Sequence, residues 1–396
     1  MNRLVGLMIL AGFVLGLAGA AAADPADWYN SAGEGKWNYR QKLTIEHTNM
    51  VSDLTNFPVL INMATNIWKY TDNDGHVRQS NGWDFLFTAS DGRTKIYHEI
   101  EKYTPTNGEL VAWVNVPTLS SNVDTDIYIY YGNESCSSQW NPNAVWDANY
   151  MMVQHLGESP TNGEYGHIDS TTNANIGRPY NFSNTTNSTT NPERDVPDWD
   201  TNKKIDGADV FKGTNDYVFF GSGTSLDLPD DFTAEIWIKM TTFGGMAINH
   251  FTDANNHFLL WYNGTTFYLQ SKKAGVYYRL NLGASLSTGV YYHVVGTFDG
   301  AFSRLYIDGD FKGAGNMATA YMNPTGGKMV IGVRYGQTIP NFDGVIDEVR
   351  ISDMVRNDGW IKACANNQTS PGVGGFLKSM GQEEYRVKKG TIFSCQ

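Results

Sequence analysis

The sequence predicts an all-β protein made of two tandem β-sandwiches. Short runs rich in β-branched and aromatic residues recur along the chain, and clusters of Asn, Asp, Gly, Thr and Pro separate them. Aromatic residues make up 13% of the 396 residues and glycine accounts for 41, which favours strands and turns over a helical bundle. At roughly 150 residues per domain, the chain is long enough for two or three domains with separate cores.

The charge balance is acidic and restricts the class of partner. Lys and Arg number 29 against 41 Asp and Glu, which gives a formal net charge of −12. Nucleic-acid binding depends on clustered cations that neutralise phosphates, and the sequence has no such cluster. The same balance disfavours binding to an anionic membrane surface. We therefore expect neither nucleic acid nor a membrane surface as a partner.

Residues 1–23 have the pattern of a secretory signal peptide. Arg3 is followed by an apolar run from Leu4 to Leu17, and the segment ends in three alanines at 21–23. An uncleaved membrane anchor is the alternative, since about 20 uncharged residues can span a bilayer. The Ala/Gly-rich second half favours cleavage. We expect a secreted or cell-surface protein with no membrane insertion after cleavage.

Residues 24–133 are predicted to form the first sandwich, whose function is unknown. Six strands are expected in it: Lys42–Ile45, Phe57–Met63, Trp83–Thr88, Lys95–Glu101, Glu109–Val116 and Asp126–Tyr131. In the last strand, Ile127, Ile129 and Tyr131 face one way, and the two tyrosines between them face the other. A polar linker, 134–150, follows, and its two tryptophans predict that it docks onto a domain.

Residues 151–375 are predicted to form the second sandwich, and 376–396 a C-terminal tail. The expected strands are Met151–Leu156, Asp209–Phe211, Tyr217–Phe220, Phe232–Met240, Met246–His250, Phe258–Tyr262, Thr266–Gln270, Val276–Leu280, Tyr291–Asp299, Arg304–Ile307, Asp310–Lys312, Met329–Val333 and Val345–Ile351. Asp308-Gly309 predicts a two-residue hairpin turn, and Asp358–Ala365 predicts a short helix.

Five sequence blocks in the second sandwich resemble a known family. They are Phe211–Val218, Phe232–Lys239, Tyr292–Gly300, Leu305–Gly309 and Phe342–Ser352. In this order they resemble a laminin-G/concanavalin-A-like lectin and glucanase jelly roll. The part from Trp37 to Asn133 resembles an uncharacterised exported β-domain family that often precedes such jelly rolls in bacterial and archaeal surface proteins. The resemblance implies that the C-terminal sandwich is a concanavalin-A-like jelly roll.

The resemblance leaves two activities open, because this fold hosts both sugar-binding proteins and sugar hydrolases. The related hydrolases carry two catalytic carboxylates on one strand in a Glu-x-Asp-x-x-Glu pattern, so that both groups flank one glycosidic bond. The sequence has no such run. Glu99 and Glu101 share a strand face but lie in the first sandwich, where we expect solvated charges. We expect that the protein is not an enzyme; a glycoside hydrolase with an unusual carboxylate pair is the less favoured alternative.

Aromatic residues in turn-rich stretches are the candidates for ligand contact. Sugar rings present apolar C–H faces and a rim of hydroxyls, so an aromatic platform beside polar groups suits them. The candidates are Trp261, Tyr262, Asn263, Tyr277, Tyr278 and Tyr335. We expect an exported, non-catalytic carbohydrate-binding or adhesion protein that recognises glycans or glycosylated surface partners through the loops of the jelly roll. A structural cell-surface component that assembles by protein–protein contacts is the alternative, as is core packing for each aromatic residue.

A structural Ca²⁺ site is expected at Asp347 and, from the resemblance, at Asp169. Within Val345–Ile351, Asp347 shares an otherwise apolar strand face, where a carboxylate must be paired or coordinate an ion. Jelly rolls of this kind often carry a Ca²⁺ that joins the first loop to the last strand, which implies Asp169 as a second ligand. The alternatives are loop amides that bind Asp347 and a turn-capping role for Asp169. Glu348 and Arg350 are expected to form a surface pair of little energetic weight.

Cysteines and glycosylation sequons are the remaining candidate sites. The cysteines are Cys136, Cys364 and Cys395. An odd number leaves one thiol unpaired or intermolecular, so a homo-oligomer through a free cysteine is one expectation, and the pairing is open. The sequons begin at Asn133, Asn181, Asn184, Asn187, Asn263 and Asn367.

Overall fold

A computed structural model gives the fold, and it confirms the all-β class. It describes residues 22–23, 28–30, 33–158, 160, 166–182, 203–228, 231–253, 256–273, 275–283, 285–316, 326–333 and 341–386. Residues 1–21 of the expected signal peptide lie outside this part of the chain. Regular structure in the described ranges is strand apart from one α-helix and short 3-10 turns. None of the described helices is both long and apolar enough to cross a membrane.

Strands β1 to β8 precede the linker. They are β1 (Ala22–Ala23), β2 (Tyr39–Ile45), β3 (Leu54–Ala64), β4 (Leu86–Ala89), β5 (Lys95–Ile96), β6 (His98–Thr104), β7 (Glu109–Leu119) and β8 (Thr125–Tyr131). Each of the six expected strands overlaps one or two of these. The expected strand 95–101 is two strands, because Tyr97 interrupts the pairing.

Strands β9 to β24 and helix α1 follow the linker. They are β9 (Tyr150–Gln154), β10 (Arg178–Tyr180), β11 (Asp209–Lys212), β12 (Tyr217–Phe219), β13 (Asp231–Met240), β14 (Gly245–Asp253), β15 (Asn256–Tyr262), β16 (Thr266–Lys273), β17 (Val276–Gly283), β18 (Tyr291–Asp299), β19 (Phe302–Ile307), β20 (Asp310–Asn316), β21 (Lys328–Ile331), β22 (Asp343–Ser352), α1 (Asp358–Thr369), β23 (Leu377–Met380) and β24 (Glu384–Arg386). Strand β10 was not expected, because it lies in the polar stretch between the first two strands of the second sandwich.

The first sandwich packs two sheets around one core. Sheet 1 has the order β1-β24-β2-β8-β4-β5, with β23 also paired to β2, and sheet 2 has the order β3-β7-β6. In β8, Ile127, Ile129 and Tyr131 point into the core, whereas Tyr128 and Tyr130 pack with a separate aromatic group on the other face. The alternation predicted for this strand is therefore confirmed.

The segment expected to be a C-terminal tail begins as part of sheet 1. Strand β23 pairs with β2 from Leu43 to Ile45, and β24 pairs with Tyr39 and Arg40 of β2. Phe376 and Leu377 are buried in the core of the first sandwich. Two strands this short carry no periodic pattern, so their pairing depends on the partner strand rather than on the local sequence.

The second sandwich also packs two sheets around one core. Sheet 3 has the order β11-β22-β13-β18-β19-β20, with β9 paired to β22, and sheet 4 has the order β10-β12-β21-β14-β15-β16-β17. The core takes every second residue of β13 from Phe232 to Met240, as predicted. The turn between β19 and β20 is also confirmed, because Asp308 and Gly309 have φ values of 55° and 75°.

Helix α1 lies between the two sandwiches. It begins at an N-cap, Asn357, whose side chain accepts a hydrogen bond from the Trp360 amide at 2.9 Å. On one side the Trp360 ring packs against Phe57 of sheet 2, with ring centres 5.0 Å apart. On the other side Ile361 packs against Val295 and Tyr306 on the outer face of sheet 3. The helix therefore joins sheet 3 to the first sandwich.

Asn367 of α1 is bound to the β3 main chain, and we expect its loss to be costly. It is 1% exposed, its Oδ1 accepts from the Leu60 amide at 2.7 Å, and its Nδ2 donates to the Leu60 carbonyl at 3.1 Å. Asn367→Ala leaves both main-chain groups buried without a partner, so we expect a loss of about 2–4 kcal/mol in the free energy of unfolding by urea. Asn366→Ala, which removes one half-buried hydrogen bond to Asn49, is the control and should cost about 1 kcal/mol. Equal losses in the two variants would contradict the role given to Asn367.

Candidate functional site

The outer face of sheet 4 carries a row of polar and apolar side chains across four strands. Strand pairing places Asn249 opposite Leu259, Leu259 opposite Gln270, and Gln270 opposite Arg279. Residues directly opposite one another share a face. The neighbouring row, which includes Leu260, points into the core, so these four side chains lie on the outer face.

Aromatic side chains flank this row. The rings of Trp261 and Tyr268 stack with centres 4.7 Å apart. On the opposite side, the ring centre of Tyr277 lies 4.4 Å from the guanidinium carbon of Arg279 and 4.6 Å from Lys272 Nζ. Apolar ring faces thus lie beside amide, guanidinium and ammonium donors, an arrangement that can stack on a ring and bind its hydroxyls.

The buried floor of the row holds an unsatisfied acceptor. Asn249 is buried, and its Oδ1 has no hydrogen-bond partner in the described part of the chain. Gln270 Oε1, by contrast, accepts from Arg279 Nε. A buried amide oxygen without a donor is costly. Of the four side chains in this row, Arg279 is exposed, and its guanidinium is held in place by Gln270.

The structure divides the predicted ligand residues between this face and the core. Trp261 and Tyr277 lie on the outer face, and exposed Asn263 caps the turn before β16 while its Nδ2 donates to the Tyr268 hydroxyl at 2.8 Å. Tyr262 is 2% exposed and packs against Phe267 in the core, and Tyr278 also packs against the core. Tyr335 lies outside the described residues.

Tyr268 and Gln270 of the same face were missed in the sequence. Both lie in β16, where the core residues Phe267 and Leu269 alternate with them. This period-2 pattern was the available signal. Tyr268 and Gln270 lie within a strand, whereas the predicted ligand residues were taken from turn-rich stretches.

Strand β22 contains a β-bulge that reverses its expected faces. Ile346, Val349 and Ile351 point into the core, and between them Glu348 has φ of 51°. One extra residue in a strand shifts the alternation by one position. Asp347 therefore does not share the face of Val349, contrary to the prediction.

Asp169 and Asp347, the expected calcium ligands, both bind main-chain amides. Asp347 Oδ2 accepts from the amides of Lys204 and Ile205 at 2.9 and 3.1 Å. The carboxylate of Asp169 accepts from three main-chain amides and one hydroxyl at 2.8–3.0 Å. Asp347 Oδ1 has no hydrogen-bond partner in the described chain, so the calcium expectation stays a prediction. Loop-amide binding and turn capping, the alternatives stated above, match these contacts.

Glu99 and Glu101 are buried between the two sandwiches, so the expectation of solvated charges is wrong. Glu99 is 6% exposed, and its carboxylate accepts from Trp146 Nε1 at 2.9 Å and from Ser170 Oγ at 2.5 Å. Glu101 Oε2 accepts from Trp113 Nε1 at 2.8 Å. Both side chains extend from β6 toward the second sandwich.

Glu348 and Arg350 approach them from β22, and they are not a surface pair. Their exposed fractions are 0% and 1%. Arg350 donates to Glu348 Oε2 at 2.5 Å and to Glu235 Oε1 at 3.0 Å, and its guanidinium carbon lies 4.4 Å from the Trp113 ring centre. The error arises because sheet 3 turns this face toward the first sandwich, and the strand's own sequence does not contain that information.

His155 lies among these carboxylates. Its Nδ1 is 2.9 Å from Glu348 Oε1 and 3.6 Å from Glu101 Oε2, and its Nε2 is 3.4 Å from Glu99 Oε2. Burial lowers the pKa of His155, but the three carboxylates outweigh burial and hold the pKa well above its ordinary value. We call Glu99, Glu101, His155, Glu348 and Arg350 the interdomain cluster.

The carboxylates of the interdomain cluster differ in pKa. Burial raises the pKa of Glu101 well above its ordinary value, and the charges of Glu348 and Asp206 add to this effect. Burial acts on Glu99 as well, but His155 and the hydrogen bonds to its carboxylate outweigh it, so the pKa of Glu99 is lowered. The two carboxylates of this strand therefore have pKa values shifted in opposite directions.

A cavity of about 280 Å³ opens beside the interdomain cluster. Its titratable lining residues are Glu99, Glu101, His155, Glu158, Asp169 and Asp206. Among the described residues that line it there is no Lys or Arg. The cavity therefore favours a cation over an anion.

The chain matches two protein families. Residues 212–362 match the concanavalin A-like lectin/glucanases superfamily. The second sandwich is a concanavalin A-like domain. Residues 81–178 match a domain of unknown function, DUF2341. This range covers part of the first sandwich and the beginning of the second. The family predicted for the C-terminal sandwich is confirmed, and no curated protein matches the chain.

Three solved binding domains are similar to the chain. Domain 4 of AbnA, a GH43 extracellular arabinanase from Geobacillus stearothermophilus, in complex with arabinotriose, is 18% identical with a TM-score of 0.43, over 56% of this chain and 100% of that one. The CBM40 of Ruminococcus gnavus IT-sialidase bound to alpha2,3 sialyllactose is 18% identical with a TM-score of 0.32, over 36% and 85%. The botulinum neurotoxin serotype D binding domain is 15% identical with a TM-score of 0.40, over 56% and 52%. At these values the likeness does not extend to a ligand.

Two of the predicted glycosylation sites are inaccessible. Asn133 and Asn367 are both buried, and their side-chain amides donate to main-chain carbonyls. Asn181 donates to the Asn215 carbonyl, and Asn263, near the concanavalin A-like domain's outer face, is exposed. Two further sequons, Asn184 and Asn187, lie outside the described residues.

The described cysteines do not favour a disulfide-linked oligomer. Cys136 and Cys364 are buried and free. Burial raises the pKa of the Cys136 thiol to about 12 and that of Cys364 well above its ordinary value, which disfavours the reactive thiolate. Cys395 lies outside the described residues.

His98 in the first sandwich predicts an acid-sensitive stability. It is fully buried, neither ring nitrogen has a hydrogen-bond partner in the described chain, and burial lowers its pKa to about 3 from an ordinary value of 6.5. Between these values the unfolded chain binds the proton that the folded chain rejects, so stability falls as the pH drops below about 6.5. We expect His98→Leu to raise the free energy of unfolding by urea by about 2–3 kcal/mol at about pH 4.5. At about pH 7 the substitution should change this free energy little. The same pH dependence in both proteins would contradict this.

Proposed function

We propose that the protein is an exported, non-catalytic carbohydrate-binding protein whose ligand lies on the outer face of sheet 4. The observation that supports this most is the single continuous face formed by the Trp261–Tyr268 stack and the Gln270–Arg279 pair. A stacked indole and phenol suit the apolar side of a sugar ring, and the exposed guanidinium of Arg279, which Gln270 holds in place, suits its hydroxyls.

The position of the first sandwich supports this choice of face. A two-sheet sandwich has two outer faces that can meet a ligand. The outer face of sheet 3 is buried under α1 and the interdomain cluster, with Glu235 and Trp237 both bound to Gln368 of the helix. The outer face of sheet 4 carries exposed Tyr277 and Arg279. We therefore assign the ligand to sheet 4 and a spacer or assembly role to the first sandwich.

The chemistry of the face supports binding without cleavage. Its side chains named above are Asn249, Leu259, Trp261, Tyr268, Gln270, Lys272, Tyr277 and Arg279, and none of them is a carboxylate. Glycoside hydrolysis requires an acid and a base or nucleophile that flank the bond. Export is proposed from the signal-peptide pattern of residues 1–23.

A glycan array of the full chain tests the function. We expect binding to a restricted set of oligosaccharides and no release of reducing sugar from polysaccharides that contain them. An array without any signal would overturn carbohydrate binding. Release of reducing sugar would overturn the non-catalytic assignment. The carboxylates between the domains would then be the candidate catalytic residues.

A further inference from the structure

The interdomain cluster has the geometry of a metal site with ligands from both matched families. One atom each from Glu101, His155 and Glu348 lie within 4.8 Å of one another. His155 Nδ1 lies 2.9 Å from Glu348 Oε1 and 3.6 Å from Glu101 Oε2. Two ligands at about 2.1 Å from one cation, with angles of about 90–120° between them, are about 3.0–3.6 Å apart. The two separations from His155 are close to this range, and the Glu101 and Glu348 ligand atoms lie within 4.8 Å of each other.

Two β-bulges present the carboxylate ligands. Glu101 is the extra residue where β6 shifts register against β7 between Ile100 and Lys102. Glu348, with φ of 51°, lies where β22 shifts register against β13. Bulges often change the direction of side chains at functional sites. A glutamate whose backbone is in the left-handed region also costs energy that regular strand geometry would avoid. Both strands depart from regular geometry at the residue that carries the ligand.

An unpartnered oxygen points to a ligand that satisfies it. The Glu101 side chain is 5% exposed, and its Oε1 has no hydrogen-bond partner in the described chain. Its other oxygen is held by Trp113 Nε1. A buried carboxylate oxygen is satisfied by a proton donor or by a cation, and the cavity next to it is lined by further carboxylates.

The surrounding hydrogen bonds orient the ligand atoms. Glu99 Oε2 faces His155 Nε2 at 3.4 Å, which favours a proton on Nε2 and leaves the Nδ1 lone pair for a metal. Arg350 takes Glu348 Oε2, which leaves Glu348 Oε1 on the side of His155. A carboxylate behind a histidine ligand is the usual arrangement of a metal's outer shell.

We propose that Glu101, His155 and Glu348 bind a divalent transition-metal cation between the two domains, with Glu99 as a positioning residue for His155. One imidazole and two carboxylates suit Zn²⁺, whereas Ca²⁺ prefers oxygen ligands alone. The cavity supplies the entry path and room for water on the remaining positions. The cation fixes the orientation of the concanavalin A-like domain on the first sandwich.

Zn²⁺ binding to the metal-stripped full chain tests the proposal. We expect uptake of about one equivalent by calorimetry, and a loss in affinity of about 100-fold or more in His155→Gln and about 10- to 100-fold in Glu99→Gln. The control is His47→Gln, because Glu46, His47 and Asp124 form a second, half-buried group of similar spacing. We expect His47→Gln to change the affinity less than about 3-fold.

The wild-type chain supplies a test that does not depend on a folded variant. Co²⁺ in place of Zn²⁺ should give the visible absorption of a low-symmetry site with nitrogen and oxygen ligands, and Zn²⁺ should remove it. No uptake by the wild type would overturn the proposal. Uptake that is unchanged in both His155→Gln and Glu99→Gln, or lost in His47→Gln, would overturn it as well.

Discussion

Arg350→Met is expected to lower the free energy of unfolding by about 3–5 kcal/mol. The substitution keeps an unbranched side chain, but it removes the guanidinium that lies over the Trp113 ring and leaves Glu235 and Glu348 buried without their shared cation. Burial raises the pKa of Glu235, but Arg350 together with His293 and Gln368 outweighs burial and lowers that pKa to about 2. Glu235 keeps its contact with His293 and Glu348 keeps its contact with His155, but removing one partner from a buried ion cluster leaves carboxylate charge without full compensation. Chemical unfolding followed by tryptophan fluorescence measures the loss.

An exposed pair provides the control for Arg350. Arg304 and Asp299 form an ion pair whose side chains are 31% and 28% exposed. Arg304→Met should cost less than about 1 kcal/mol, because water solvates the remaining charge. A cost of Arg350→Met no larger than that of Arg304→Met would show that the interdomain cluster is not a stabilising element of the fold.

Trp261→Ala is expected to weaken glycan binding by about 30-fold or more, which corresponds to about 2 kcal/mol. The indole stacks on Tyr268 on the outer face of sheet 4, the face that also carries Arg279. Its removal eliminates the apolar surface of the platform while the core beneath it stays intact. Calorimetry with the strongest oligosaccharide from the array measures the change in Kd.

A tryptophan on the other domain provides the control for Trp261. Trp83 is 43% exposed and lies just before β4 of the first sandwich. Trp83→Ala should leave the Kd within about 2-fold of the wild-type value. Equal losses in the two variants, or a loss only in Trp83→Ala, would move the ligand away from sheet 4.

The core of both sandwiches could be predicted from the sequence, because local alternation determines it. Ile127, Ile129 and Tyr131 of β8 and the even-numbered residues of β13 from Phe232 to Met240 face inward as their period-2 pattern requires. The Asp308-Gly309 turn was predictable for a similar reason, since both residues tolerate positive φ.

The interdomain cluster could not be predicted, because two non-local features create it. The bulges at Glu101 and Glu348 change which way the side chains point, and neither position holds the glycine that would have indicated one. The burial of Arg350 depends on the way sheet 3 packs against the first sandwich, which no single strand specifies. Residues that look like solvated charges in each strand alone therefore become a buried cluster.

A crystal structure of the full chain with the strongest oligosaccharide from the array tests the central claim most directly. We predict a sugar ring stacked on Trp261, with its hydroxyls within hydrogen-bond distance of Gln270 or Arg279. An oligosaccharide bound in the cavity beside Glu99 and Glu101, or on the first sandwich, would contradict the assignment of the binding face to sheet 4.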